Sequence, residues 1–182
     1  VAKLVSAVER GAEEGRLIAW MRNDDEQNAI KETGIDASLP DPDDPSADPV
    51  AGVYFNNLSF SKLDWYLNAD TQIGQGIKNG DGTCSYRITV TLTNIMTQEE
   101  AGKLPDYAAG APDAARDDER LNVSFFAPTG GNITDLTVEG TQFGLGAAAW
   151  HGIPFYSGTV DLHAGETTTI TYTLTTSAEA GD

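Results

Sequence analysis

The sequence predicts a mostly β fold of the α+β class, an antiparallel immunoglobulin-like β-sandwich that follows a small helix–strand–helix segment in residues 1–35. Three observations predict it. From Val50 onward, apolar residues recur at every second position in short runs, which is the period of a strand buried on one face. Threonine fills many of the alternate positions, as in antiparallel sheets with one solvent-facing side. Before Asp36, the apolar residues follow the helical period instead.

The N-terminal segment is predicted to contain two helices with a strand between them. The apolar side of the first helix consists of Val1, Leu4, Val5, Val8 and Ala12. Gly15 is placed to end this helix, and the apolar run of residues 16–22 predicts a buried strand. The second helix is expected to begin after Asn23, with Asn23 as the N-cap and Glu26 in the capping-box position, and to end at Gly34.

Residues 36–50 predict a linker or a long surface loop. Four prolines alternate there with four aspartates, namely Pro40, Pro42, Pro45 and Pro49 with Asp41, Asp43, Asp44 and Asp48. Proline removes an amide donor and keeps the preceding residue extended, so neither a helix nor a central strand can form. We expect the segment to contribute little to the core, because few apolar side chains offset the entropy of ordering it.

The sandwich is predicted to cover residues 51–176, with residues 177–182 as a tail. Strands are expected at residues 53–55 and 63–67, and the run Asn79-Gly80-Asp81-Gly82 predicts a tight hairpin because Asn and Gly accept positive φ. The later strands are expected to present on one face Tyr86, Ile88, Val90 and Leu92; Leu121, Val123 and Phe125; Leu136 and Val138; Tyr156, Gly158, Val160 and Leu162; and Ile170, Tyr172 and Leu174. Residues 97–120 are predicted to be a second long insertion.

The charge balance is strongly acidic, with 11 Lys and Arg against 28 Asp and Glu in 182 residues and a net charge of −17. Such a field repels phosphate backbones and anionic headgroups, so we expect no nucleic-acid partner and no membrane contact by this chain itself. No apolar run approaches the length of a membrane span. The single Cys84 is expected to be a small strand residue rather than a reactive thiol.

No catalytic set is predicted. Ser59 and Lys62 have Ser-x-x-Lys spacing, but their flanks alternate like a strand, whereas penicillin-recognising enzymes place this pair on a helix. His151 and His163 lie in predicted turns, and no Gly-x-Ser-x-Gly elbow offers them a nucleophile. Two histidines without a companion cysteine are also poor material for zinc. We therefore expect no catalytic residues and no cofactor.

Two acidic loops are the candidates for calcium. Asp41-Pro42-Asp43-Asp44 and Asn79-Gly80-Asp81-Gly82 both offer hard oxygen ligands, but neither has the spaced acidic series of an EF-hand. A solvated loop and a hairpin turn explain them better. We predict no metal site and little effect of calcium on the chain.

The tryptophans are the candidate residues for an aromatic platform on which sugar rings could stack. Trp20 and Trp65 are expected in the core, because aromatic residues of strands bury large areas. For Trp150, in a predicted loop beside His151, core and platform are equally supported.

Residues 61–67 carry the sharpest structural expectation. Leu63, Trp65 and Leu67 are predicted to face the core at period two, with Lys62 and Asp64 making polar contacts on the other side. Lys62 and Asp64 join Trp150 and His151 as the candidate ligand-binding residues.

Several runs of the sequence, taken in order, resemble the actinobacterial "domain of unknown function 4012" family. They are Gly15-Arg16-Leu17-Ile18-Ala19-Trp20, Gly52-Val53-Tyr54-Phe55-Asn56-Asn57, Ser61-Lys62-Leu63-Asp64-Trp65-Tyr66-Leu67, Thr89-Val90-Thr91-Leu92-Thr93-Asn94, Phe126-Ala127-Pro128 with Gly130, and Ala164-Gly165-Glu166. The run of residues 61–67 is the most specific. The resemblance implies the C-terminal part of a larger protein, on the extracellular side of the cell envelope and anchored by a membrane segment upstream of Val1. It supplies no catalytic residues.

These observations favour a non-catalytic extracellular module that binds or scaffolds envelope components, with an envelope polymer or another envelope protein as partner. The alternative is a hydrolase or transferase acting on cell-wall polysaccharide through paired carboxylates. Asp64 with Asp70, or Asp161 with Glu166, are the pairs the sequence offers. Such chemistry needs two carboxyl groups held a few ångströms apart in different environments.

Overall fold

A computed structural model describes residues 2–13, 17–36, 38, 41, 43–44, 48–110, 115–143 and 146–180. The chain divides into two compact units, Val1–Pro40 and Asp41–Asp182. Much of the Asp/Pro-rich segment, at residues 37, 39–40, 42 and 45–47, lies outside the described residues, as do Val1 and Gly15. Within the described ranges, no helix is long and apolar enough to cross a membrane.

The first unit contains two helices, α1 (Ala2–Glu13) and α2 (Asp24–Lys31). The predicted cap of α2 is confirmed, because the side chain of Asn23 accepts hydrogen bonds from the amides of Asp25 and Glu26. Three acidic residues follow in the first turn, where they favour the positive end of the helix dipole. Gly34, with a φ of +73°, ends the turn after the helix.

The strand predicted between these helices is wrong over its described part. Residues 17–21 carry no strand, and Trp20, expected in the core, is 72% exposed. The physical reason is the lack of a partner strand. The amide of Ala19 bonds to the carbonyl of Ile35, but a single contact does not make a ladder, and isolated strands are unstable in water.

The second unit is mostly β. Its described residues form ten strands: β1 (Gly52–Asn57), β2 (Leu67–Ile73), β3 (Ile77–Lys78), β4 (Cys84–Asn94), β5 (Glu119–Phe126), β6 (Asn132–Val138), β7 (Thr141–Gln142), β8 (Gly146–Trp150), β9 (Ile153–Leu162) and β10 (Thr167–Thr175). A 3₁₀ helix at Leu63–Tyr66 precedes β2, and two short helices, α3 (Gln98–Lys103) and α4 (Asp106–Ala109), lie between β4 and β5.

The strands make two antiparallel sheets packed together as a β-sandwich. One sheet has four strands in the order β1-β5-β9-β8. The other has six, in the order β2-β4-β10-β6-β7, with β3 paired to β4. Alternation along β4, β5, β9 and β10 turns one face of each strand inward, as the sequence predicts. The buried side chains of the main core are Ile88, Val90, Leu92, Leu121, Val123, Phe125, Ala127, Ile133, Leu136, Val160, Leu162, Ile170, Tyr172 and Leu174.

The hairpin predicted at residues 79–82 is confirmed. It joins β3 to β4, the amide of Asn79 bonds to the carbonyl of Thr83 at 2.8 Å, and Gly82 has a φ of +91°. The carboxylate of Asp81 accepts bonds from the amide and the hydroxyl of Thr83. These bonds, the hydroxyl one first, lower the pKa of Asp81, so the turn itself satisfies this carboxylate.

The strand predicted at residues 63–67 is wrong. Leu63–Tyr66 is a 3₁₀ helix, in which residues three apart share a side. Leu63 and Tyr66 therefore both pack into a small second core with Met96, Ala101 and Leu104, while Trp65 points away and is 86% exposed. Leu67, at the start of β2, packs partly against the main core as predicted.

Residues 97–120 are not a plain insertion. Thr97 begins α3 with a complete capping box, in which Thr97 and Glu100 satisfy each other's backbone amides. The strand predicted from Leu121 begins earlier, at Glu119. The described part of this region thus places two helices and a strand end beside the 3₁₀ helix, where they shape the site described next.

Candidate functional site

Residues 58–66, between β1 and β2, form a loop whose backbone is held at three places; we refer to it as the 58–66 loop. Near its start, middle and end, the backbone hydrogen bonds are Leu58 to Arg120 at 2.8 Å, Lys62 to Ala108 at 2.9 Å, and Ile95 to Tyr66 at 2.9 Å. Leu63 is fully buried and anchors the loop to the small second core. The loop is therefore fixed by β5, by α4 and by Ile95, the residue that follows β4.

The side chain of Asn57 organises the inside of the loop. Its Nδ2 donates to Ser61 Oγ at 2.9 Å and to Asp64 Oδ1 at 3.1 Å. Its Oδ1 accepts from the amide of Ser59 at 2.8 Å and from the Ser59 hydroxyl at 2.9 Å. One amide thus fixes three loop residues and sets the orientation of the Asp64 carboxylate. Ser59 and Lys62, the Ser-x-x-Lys pair of the sequence, are structural parts of this loop.

The outside of the loop presents aromatic side chains to solvent. Phe60 is 92% exposed and Trp65 is 86% exposed, and Tyr107 on the adjoining α4 is 77% exposed. Phe60 also has a φ of +54°, a conformation that L residues with bulky side chains rarely adopt. An exposed, conformationally strained aromatic residue on a hydrogen-bonded loop is an unusual combination, and strained residues of this kind concentrate at functional sites.

Beneath the loop lies a buried carboxyl group that the sequence reasoning missed. Glu119 leads the inward-facing series of β5, followed by Leu121, Val123 and Phe125, and none of its surface is exposed. Among the described residues, no hydrogen-bond donor reaches either carboxylate oxygen of Glu119. Burial, then the charge of Asp64, then a hydrogen bond shared with Asp64 raise the pKa of Glu119 to about 7.

The shared hydrogen bond exists only while one of the two carboxyl groups carries a proton, because two carboxylates offer each other no donor. Asp117, two residues earlier, shows the opposite outcome. Burial raises its pKa, but hydrogen bonds from the Gln98 side chain and the Ala164 amide outweigh burial and lower it. Donors stabilise the charge of Asp117, whereas Glu119 meets only another acid.

Two of the four candidate ligand-binding residues, Lys62 and Asp64, belong to the 58–66 loop, and both are exposed. Asp64 makes the predicted polar contact, with Asn57, and it also meets Glu119. Neither of the carboxylate pairs that the sequence offers involves Glu119. Asp70 lies exposed on β2, Asp161 pairs with Arg120 at 3.4 Å, and Glu166 accepts the amide of His163.

The other two candidates, Trp150 and His151, lie far from the loop. His151 and Gly152, both with positive φ, form the tight turn between β8 and β9, and Trp150 is 55% exposed beside His151 with their ring centroids 5.0 Å apart. In the four-stranded sheet this turn lies beyond Phe126, whereas Glu119 is at the other end of β5. Eight residues of strand separate the two ends by about 23 Å. The structure does not bring the four candidates together.

Apart from the 58–66 loop, the second unit has a cleft of about 430 Å³ beside the β6–β7 hairpin. Its polar and aromatic lining includes Thr134, Asp135, Gln142, Phe143 and Tyr156. The volume suits a small ligand. Over the described ranges, no group of three or more His, Cys, Asp or Glu side chains is arranged to hold a metal ion.

The sequence held signals for some of the missed residues. Extending the period of two from Leu121 back to Glu119 would have placed a carboxylate on the inner face of β5. The conformation of Phe60 and the role of Asn57 had no such signal, because both depend on contacts between distant parts of the chain.

No protein-family model, no curated protein and no solved structure matches this chain. The family resemblance drawn from the sequence therefore stays a prediction.

Proposed function

We propose that this chain is a non-catalytic, extracellular binding module of a membrane-anchored bacterial cell-envelope protein, and that it holds an envelope polysaccharide at the 58–66 loop. One observation carries the proposal: Phe60 and Trp65 are 92% and 86% exposed on a loop whose backbone is hydrogen-bonded at three places and whose polar side chains are partly held by Asn57. Aromatic side chains have only two side-chain torsions, so they give a large contact area at a low entropy cost when a ligand binds.

The chemistry around the rings suits a sugar. Trp65 and Phe60 offer apolar faces for the C–H surface of a pyranose ring, and Lys62 and Asp64 supply a donor and an acceptor beside them. A net charge of −17 favours a neutral or cationic polymer over an anionic one. These features support the polymer over the protein partner.

The finer fold assignment and the location belong to the same proposal. Two packed antiparallel sheets of four and six strands support an immunoglobulin-like sandwich, and loops at the end of such sandwiches commonly carry binding residues. The location rests on the resemblance of residues 61–67 and the other runs to the "domain of unknown function 4012" family, whose members are expected to be membrane-anchored with this part outside the cell.

A second candidate function, hydrolysis or transfer on cell-wall polysaccharide, gains one specific observation. Asp64 and Glu119 are two carboxyl groups in different environments, and a pKa of about 7 for Glu119 suits a general acid. Against this, Glu119 has no exposed surface through which to touch a polymer. Binding therefore fits the geometry better.

The proposal is tested by co-sedimentation of the chain with purified bacterial cell-wall sacculi. Trp65→Ala should raise the Kd about tenfold or more, because losing an aromatic contact removes roughly 1.5 kcal/mol or more of binding free energy. Circular dichroism should show an unchanged fold, since Trp65 is exposed.

Trp150→Ala is the matched control, since it removes an exposed tryptophan from the opposite end of the sheet. Binding that survives Trp65→Ala but not Trp150→Ala would contradict the proposal. Release of reducing ends from the sacculi that Glu119→Gln abolishes would establish the enzymatic alternative instead.

A further inference from the structure

Within the described ranges, no cation faces the Asp64–Glu119 pair to balance its charge. The arginine beside Glu119 in sequence, Arg120, faces the other way and pairs with Asp161 at 3.4 Å. Among the described residues, the charged group that reaches Glu119 is Asp64, because Asn57 holds Asp64 at 3.1 Å and pairs with β5 two residues beyond Glu119. The two groups carry the same sign of charge. Ionising both groups therefore adds repulsion to the desolvation cost of burial.

We propose that Asp64 and Glu119 form a binding site for a hard divalent cation of the calcium class, located between the start of β5 and the 58–66 loop. Carboxylate oxygens are the preferred ligands of such ions, and each carboxylate can bind through one oxygen or two. In the described structure no donor reaches either oxygen of Glu119, so when both acids are ionised these oxygens can bind a cation without losing a hydrogen bond.

The surroundings of the pair give a cation access from solvent, and they hold Asp64 in place as its second ligand. Asp64 is exposed, so the pair has one side toward solvent, from which water can complete the coordination. Asn57 holds Asp64 through Oδ1 alone, at 3.1 Å, and this contact can persist when a cation binds the carboxylate. Calcium suits the site better than magnesium, because it accepts bidentate carboxylates and irregular geometry.

This site differs from the acidic loops considered from the sequence, and the proposal replaces the sequence-based expectation that calcium has little effect on the chain. In the hairpin at residues 79–82, Asp81 already accepts two hydrogen bonds within the turn. In the loop at residues 41–44, Asp41 Oδ1 accepts the amide of Asp43. Those carboxylates have hydrogen-bond donors, whereas in the described structure Glu119 faces another acid. The need for a counter-ion therefore falls on the pair of exposed Asp64 and buried Glu119.

The experiment measures cation binding by the metal-free chain at mildly alkaline pH. Calcium chloride is titrated while thermal unfolding is followed, and terbium chloride is titrated while lanthanide emission is followed on excitation of tryptophan. We expect a rise in melting temperature of several degrees at millimolar calcium, because an ion that binds only the native state stabilises it. We also expect terbium emission sensitised by Trp65, next to Asp64 in sequence, and displaced by calcium.

The variants locate the site. Glu119→Gln and Asp64→Asn should each weaken calcium binding by about tenfold or more. Without metal, Glu119→Gln should melt above the wild type, since it removes a buried acid, so its loss of calcium response cannot be blamed on misfolding. The matched control is Asp70→Asn, an exposed carboxylate of β2, which should respond to calcium like the wild type.

Two results would overturn the proposal. If Glu119→Gln and Asp70→Asn respond to calcium equally, the ion binds the acidic surface in general. If the wild type shows no calcium response while Glu119→Gln still melts higher, a proton alone neutralises the pair.

Discussion

At the scale of single residues, Glu119 occupies a position that an apolar side chain would normally fill. It begins the inward series that continues with Leu121, Val123 and Phe125, and all four residues are fully buried. A buried acid in such a series makes the stability of the fold depend on its protonation.

The pH dependence of unfolding in the absence of divalent cations follows from this position. The pKa of Glu119 is about 7 in the folded chain against 4.5 for the ordinary group, so the folded state binds a proton that the unfolded state has released. Glu119 should therefore make its full contribution to the free energy of unfolding below pH 4.5, and this contribution should be lost between pH 4.5 and 7, by up to roughly 3 kcal/mol.

Asp64 is the titratable group that faces Glu119, while Asp118 and Arg120 turn to the other face, near His163 and Asp161. Urea unfolding of Glu119→Gln in EDTA across this pH range should show a flat profile where the wild type declines. A variant that keeps the wild-type slope would assign the decline to another group.

Phe60 stores strain at an exposed position. Its left-handed backbone costs an L residue roughly 1–2 kcal/mol, which glycine avoids. Because the ring is 92% exposed, its removal sacrifices almost no buried surface. Phe60→Gly should therefore unfold at higher denaturant than Phe60→Ala, by roughly 1 kcal/mol, and both should bind sacculi less well. Equal stability of the two variants would show that the backbone is relaxed in solution.

At the scale of elements, the 3₁₀ helix at Leu63–Tyr66 links the buried side of the 58–66 loop to its solvent-exposed side. Leu63 fills the small core beneath it, together with Met96 and Ala101, and Trp65 faces solvent two residues before β2 begins. Burial of one residue and exposure of another are thus properties of one helical turn.

Leu63→Ala should cost about 2–5 kcal/mol of unfolding free energy, because it leaves a cavity in a fully buried place. Leu58→Ala, in the same loop but 40% exposed, is the matched control and should cost well under half as much. Guanidinium unfolding monitored by circular dichroism measures both. Similar losses in the two variants would mean that the loop repacks around position 63.

Elements differ in how far the sequence determines them. The inward faces of β4, β5, β9 and β10 follow directly from apolar residues at period two, since a one-residue slip would expose all of them. Leu63, Trp65 and Leu67 satisfy the same period over too short a stretch, and contacts from α3 and α4 select a 3₁₀ turn instead. The apolar run at residues 17–21 lacks the neighbouring strand that a ladder requires.

At the scale of the whole second unit, the candidate residues divide between the two ends of the four-stranded sheet. Asp64 lies beside Glu119 and Lys62 belongs to the same loop, whereas Trp150 and His151 lie beyond Phe126, about 23 Å away by strand rise. Two of the four candidate residues, Lys62 and Asp64, could be placed together from the sequence, because they lie close together in one short run. The pairing of Asp64 with Glu119 depends on tertiary structure, so spacing along the chain could not reveal it.

The position of β10 has a consequence for how the chain acquires its structure. This strand, the last of the ten described, lies in the middle of the six-stranded sheet, between β4 and β6, and its residues pair across long separations, from Thr93 with Thr167 to Ser85 with Thr175. Proteins dominated by such distant pairings fold slowly, because loop closure must precede the contacts that compensate for it. During synthesis, the edge of β4 that pairs with β10 therefore stays open until β10 has been made, and the six-stranded sheet is completed late.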